Sequence, residues 1–171
     1  MTRFNLYYLS LFFILMYSTP LKAESEADSR PILGWVEYIQ LQDVKIIMKA
    51  RIDTGAGLAS VDANIKKITR NEHPEEDKVL FEIVDADGKS RTLERPIVDW
   101  VNIKKKGDEG TIKRPVVRLD FCMGGKKIEG RINLADREGF LYPLLIGRNI
   151  LEVGNFMIDP TDKFMNEPEC K

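Results

Sequence analysis

The chain has 171 residues, with 26 Lys and Arg against 27 Asp and Glu, one His and two Cys, for a formal net charge of −1. A balance so close to neutral excludes the excess positive charge of a nucleic-acid coat, and the lysines Lys104 to Lys106 beside Gly107 read as a solvated loop rather than a binding patch. The single His73 lies in an acidic loop beside Pro74 with no His-Glu-x-x-His, which argues against a catalytic zinc centre, and no G-x-x-x-x-G-K-[ST] sequence is present to cradle ATP, so no cofactor is expected.

In chain order, residues 1–23 read as an address. Arg3 is followed by an apolar run from Leu6 to Ser18, short of the about 20 residues that span a bilayer, and then by Leu21-Lys22-Ala23 with its small-residue end. This predicts an export signal cut after Ala23, with an uncleaved membrane anchor as the alternative. Both place the body of the chain outside the cytoplasm, in the periplasm or beyond. The remaining 148 residues, 24–171, make one domain of ordinary size; loss of Arg3 and Lys22 leaves 24 basic residues against 27 acidic ones.

That domain reads as strands. Ile32 to Leu41 and Val44 to Ile52 are rich in β-formers and flank Gln42-Asp43, which predicts a hairpin. Thr69 to Asp77 is polar and reads as a surface loop, as does Lys104 to Gly110. Lys78 to Val98 carries a turn signal at Asp87-Gly88, and Pro115 to Leu134 carries one at Gly124-Gly125, giving two more hairpins. The one helix expected is short, Arg148 to Val153, bracketed by Gly147 and Gly154. Many short strands and one short helix predict an all-β barrel or sandwich. In an oxidising compartment Cys122 and Cys170 are candidates for a disulfide that ties the tail to the domain.

One stretch carries chemistry. In "ARIDTGAGLAS", Ala50 to Ser60, a lone acid follows a strand and precedes Thr54, Gly55 and Gly57. Glycines let the backbone come close to a ligand or a second chain, and the Thr54 hydroxyl can pin the turn. Two such carboxylates about 3 Å apart share one proton, so that one activates water while the other donates to the scissile carbonyl. The chain holds one Asp-Thr-Gly, so a second must come from a second chain. The plain alternative is an Asp that does no more than cap a turn. Asp85 and Asp87 read as turn residues rather than a calcium loop, and Asp120 and Asp136 as structural or solvated acids.

"IDTGA" (Ile52 to Ala56) with "LLIGRNIL" (Leu144 to Leu151) resembles the two signature motifs of retropepsin-like aspartic proteases. With "NLADREGFLYP" before the second motif and "FMIDP" (Phe156 to Pro160) after it, the chain is similar to a bacterial family once labelled ATP-dependent zinc proteases, some of whose members accompany ATP-grasp enzymes that add glutamates to proteins. The resemblance covers about Val44 to Pro160, leaving 24–43 as an N-terminal strand region and 161–171 as a tail. It implies a closed acid-protease barrel and a homodimer that cuts a polypeptide, with no part for ATP or nucleic acid. Asp53 would be the catalytic carboxylate, Thr54 would bind the paired loops across the dimer axis, and Gly55 would permit the turn. Ala56, Leu145, Ile146, Gly147 and Arg148 would support the loop from beneath. The hairpin at Asp85 to Lys89 is the analogue of a flap, with other hairpins eligible. Retroviral enzymes place an acid where this chain has Gly57, so Arg148 needs another partner, Asp62 or its own C-terminal segment. A non-catalytic module that holds a peptide in the same cleft is the competing function.

Overall fold

The computed structural model describes residues 30–85, 87–104 and 110–170. The expected export signal, and most of the Lys104 to Gly110 loop, lie outside them. Eleven strands and one helix follow in order: β1 (Ile32–Leu41), β2 (Ile46–Ile52), β3 (Ala59–Asp62), β4 (Asn64–Thr69), β5 (Lys78–Val84), β6 (Ser90–Pro96), β7 (Asp99–Lys104), β8 (Thr111–Met123), β9 (Lys126–Ala135), β10 (Leu144–Ile146), α1 (Arg148–Gly154) and β11 (Met157–Lys163).

The hairpins arise where the turn chemistry demands them. Gly124 and Gly125, at φ of +56° and +74°, supply the two left-handed positions of the tight turn between β8 and β9. Eight strands form a sheet in the order β11-β1-β2-β10-β3-β9-β8-β7. The first half of β1 pairs with β11, and its end crosses to β8 through Gln40 with Cys122 and Leu41 with Phe121. That second pairing closes six strands, β1-β2-β10-β3-β9-β8, into a barrel. β1 is thus a stave of the barrel and not a separate region before it.

Alternation in the strands sends Ile39, Met48, Val61, Phe121, Ile132 and Ile146 into the barrel, all at most 2% exposed. Strands β4-β5-β6 make a second, three-stranded sheet whose inward residues Val79, Phe81, Ile83 and Leu93 join the same core. The polar run Thr69 to Asp77 is not wholly a surface loop. It ends in a short 3-10 turn, Pro74–Glu76, and Asp77 behind it is 3% exposed, accepting hydrogen bonds from Arg70 Nη1 (2.7 Å) and the Asn71 amide (2.8 Å).

Two strands are too short to carry a periodic signal. β3 and β10 have four and three residues, and each finds a parallel partner far away in sequence: β3 beside β9, β10 beside β2. Such short pieces are strands because a neighbour's ladder completes them.

Candidate active site at the β2 turn

Asp53 leaves β2 at one end of the barrel, where β10 holds it. Its backbone N–H donates to the Ile146 carbonyl at 2.9 Å, continuing the parallel pairing of Leu144 with Ala50 and Ile146 with Ile52. The chain then reverses at once. The Gly55 and Ala56 amides both donate to Asp53 Oδ1, at 2.9 and 3.2 Å, and the Ala56 amide also meets the Asp53 carbonyl at 3.2 Å. A Cβ on Gly55 would stand 3.1 Å from that carboxylate oxygen, so glycine leaves the acid room to turn back on its own loop. Among the described residues Asp53 Oδ2 accepts no hydrogen bond, and Thr54 and Gly55 are exposed.

The Gly-Arg-Asn segment supports the turn residue by residue. Gly147 fits because a Cβ there would lie 2.8 Å from the Leu58 carbonyl carbon and 3.0 Å from the Ala56 oxygen. The Arg148 amide donates to the Ala56 carbonyl (2.8 Å), and its guanidinium Nη1 to the Thr54 carbonyl (2.7 Å). Among the described residues Arg148 is hydrogen-bonded to neither of its expected partners. Asp62 instead accepts the Arg137 amide at 2.8 Å, and with Gly57 in place of an acid the guanidinium turns to a backbone carbonyl. Asn149 accepts the Ala59 amide (2.9 Å) and donates to the Arg131 carbonyl (2.8 Å), joining α1 to β3 and β9. Leu145 departs from the supporting layer: it faces outward and lines a cleft together with Asp53.

That cleft is about 450 Å³, walled by Arg51, Asp53, Arg137, Phe140, Tyr142 and Leu145 among others. Two cations share it with the acid. Arg51 precedes Asp53 by two positions and so stands on the same face of β2. Arg137 is held by its Nε on the Tyr142 carbonyl (3.1 Å), with its guanidinium 4.7 Å over the Phe140 ring. Burial lowers its pKa below the usual arginine value, repulsion from Arg114 adds to this, and Asp62 opposes it; an arginine remains charged regardless. Phe140 and Leu141 stand at the rim, 65% and 77% exposed.

Sequence reasoning missed Arg51, Arg137 and Tyr142, and it missed a polar network beneath the site. Buried Asn133 on β9 donates to the Ala59 carbonyl (2.7 Å) and accepts from the Ser60 hydroxyl (3.2 Å), fixing the strand that leaves the loop. The Asp85 to Lys89 turn ends the three-stranded sheet, and none of its described residues lines the Asp53 cleft. His73 lies on the exposed 3-10 turn beside Glu75. Among the described residues no group of three or more His, Cys, Asp or Glu is placed to hold a metal. A larger hollow, about 550 Å³, gathers Asp62, Glu82, Asp136 and Glu138 apart from the Asp53 cleft, with Glu82 paired to Lys66 at 2.8 Å. Cys122 and Cys170 are bonded, with Cα atoms 5.5 Å apart.

Three comparisons bear on this site. Residues 32–169 match the model of the RimB-like family, described as the retropepsin-like aspartic endopeptidase RimB. A solved structure from Legionella pneumophila, a protein of unknown function, is 34% identical and superposes with a TM-score of 0.68, covering 81% of this chain and all of that one. Two curated proteins named "Probable alpha-L-glutamate ligase", from Shewanella pealeana and Shewanella halifaxensis, are 29% and 28% identical over 143 residues, 81% of this chain. The chain spans only 30% of the length of those two relatives.

Proposed function

This chain belongs to the RimB-like family of retropepsin-like aspartic endopeptidases, and from that premise we propose that it is an exported peptidase in which two copies of Asp53, one from each subunit of a homodimer, hydrolyse a peptide bond. One observation carries the reading: the Asp53 carboxylate is anchored through Oδ1 on two amides of its own glycine turn, in a cleft, with Oδ2 accepting no hydrogen bond among the described residues. A turn-capping Asp needs neither the cleft nor the Gly-Arg-Asn support beneath it.

In the dimer the two carboxyls face each other and hold one proton between them, because both cannot ionise at such short range. The ionised member takes a proton from water as the water oxygen bonds to the scissile carbonyl carbon. The protonated member gives its proton to the carbonyl oxygen. In the collapse of the tetrahedral intermediate the pair gives its proton to the amide nitrogen and takes one from a diol hydroxyl, the C–N bond breaks, and the pair is left with one proton again. A groove of about 270 Å³ beside Thr54, bounded by Arg148, Leu151, Phe156 and Ile158, is where the partner's loop would meet this one. Arg51 and Arg137 favour a peptide with carboxylates near the bond that is cut. The bonded cysteines accord with residence in an oxidising compartment after removal of residues 1–23.

The test is a peptide-library digest by residues 24–171, wild type and Asp53→Asn, with solution mass by light scattering. The reading expects a dimer in both, and cleavage lower by at least about a hundredfold in the variant. A strict monomer without activity, or equal cleavage by both proteins, contradicts it. A second reading, a module that binds peptide without cutting, draws on the curated relatives: there a matching region lies within a chain about three times longer that bears a ligase name. In that case Asp53→Asn leaves peptide binding intact and there is no cleavage to lose.

A further inference from the structure

Past Lys163 the chain turns back along β1 as a strap. The Phe164 amide donates to the Val36 carbonyl (2.8 Å), and its ring stacks on Tyr38 with centroids 4.6 Å apart. The Met165 amide, the Asn166 amide and the Asn166 side chain then converge on one carboxylate, Glu37, at 3.2, 3.4 and 3.3 Å. Glu37 is 1% exposed and, among the described residues, has no cationic partner; the Gly34 amide at 2.7 Å completes its set. Its buried charge is therefore met by N–H groups, most of them from the strap, and loss of the strap would leave it short of donors. The strap ends at Cys170, bonded to the buried Cys122 of β8.

Lys163, the last residue of β11 and the point where the strap begins, backs the Asp53 cleft. The Lys163 ammonium lies 4.9 Å over the Trp35 ring, Trp35 meets Tyr142 edge-on at 6.3 Å, and Tyr142 lines the cleft while its carbonyl holds Arg137. Contact is continuous from the foot of the strap, at the end of β11, to the wall beside the acid.

We propose that the Cys122–Cys170 bond is a redox latch: oxidised, it holds the strap on Glu37 and props the wall of the cleft; reduced, it releases both. In the reducing step a thiolate of a dithiol attacks one sulfur to form a mixed disulfide, and the second thiol of the donor displaces it. Cys122 and Cys170 end as thiols having gained two electrons and two protons, and the donor ends as a disulfide; a disulfide oxidant reverses the exchange. The consequence for catalysis rests on the peptidase reading above, and the latch itself does not.

Hydrogen exchange on residues 24–171, oxidised and in dithiothreitol, tests it, with Cys170→Ser and Glu37→Gln as variants. On reduction the amides of 164–166 exchange faster by at least about tenfold and those of 140–146 follow, while β8 and β9 keep their protection. Cys170→Ser matches the reduced wild type and ignores dithiothreitol, and Glu37→Gln loosens 165–166 with the bond intact. Unchanged exchange at 164–166 on reduction overturns the latch, and a loosened strap with unchanged 140–146 overturns its link to the cleft. If Cys170→Ser does not fold, the reduced wild type decides alone. Absence of peptide cleavage in both redox states counts against the peptidase reading, and the exchange result still decides the latch.

Discussion

Two turns in this molecule share one local chemistry and differ in everything around it. At Asp53 a carboxylate oxygen accepts the amides two and three residues on; at Asp85 it accepts those of Asp87 (3.0 Å) and Lys89 (2.8 Å). The Asp85 turn projects from the three-stranded sheet, and a Cβ on its Gly88 would meet nothing within 4 Å. The Asp53 turn is bonded to β10 and α1, and Gly147 beneath it has no room for a methyl group. An Asp-Gly turn is thus common currency of the chain, and tertiary support with a cleft turns one of the two into a candidate site.

Substitutions at the two turns sharpen the contrast. Asp53→Asn should lower peptide cleavage by at least about a hundredfold, whereas Asp85→Asn should leave it unchanged in the same assay. Gly147→Ala forces a Cβ onto backbone atoms and should cost about 3 kcal/mol in urea unfolding, with cleavage falling as the loop shifts. Asn133→Ala leaves the Ala59 carbonyl and Ser60 hydroxyl without their partner in a buried place, for about 2 kcal/mol by the same measurement. Gly88→Ala meets open space but sits at φ +80°, and should cost only about 1 kcal/mol of strain with no effect on cleavage.

A pH test reaches the support of the second sheet. Hydrogen bonds from the Asn71 amide and then from Arg70 hold the Asp77 carboxyl below its ordinary value of 3.8, against the opposing effect of burial. A depressed folded pKa means that the stabilisation is complete above the unfolded value and fades as pH falls through the folded one. The gap in urea midpoint between wild type and Asp77→Asn should therefore be widest near neutral pH and should close below about pH 4. A gap that is constant with pH would show that the charge of Asp77 contributes nothing.

The same contrast explains what the sequence disclosed. Hairpins with Asp-Gly or Gly-Gly turns were legible because the signal is local, as was α1 between its glycines. The strands β3 and β10 were not, because three or four residues hold no period and their parallel partners lie far along the chain. At the site, Asp53, Gly147 and Arg148 stood out as motif residues, but the Arg148 partner depended on how the loop closes. Arg51 could have been found, since alternation along β2 puts it on the face of Asp53. Arg137 and Tyr142 lie in the connection between β9 and β10, where no periodic signal marks which side chains reach the cleft.

The central claim, that one active site needs an Asp53 from each of two chains, is tested most directly by mixing. Wild type and Asp53→Asn are combined in increasing proportion, allowed to exchange subunits, and assayed for peptide cleavage at constant total protein. With the acid required from both subunits, activity follows the square of the wild-type fraction and falls to about a quarter in an equal mixture. A linear fall, to about half at the same point, would mean that each chain works alone and would contradict the account.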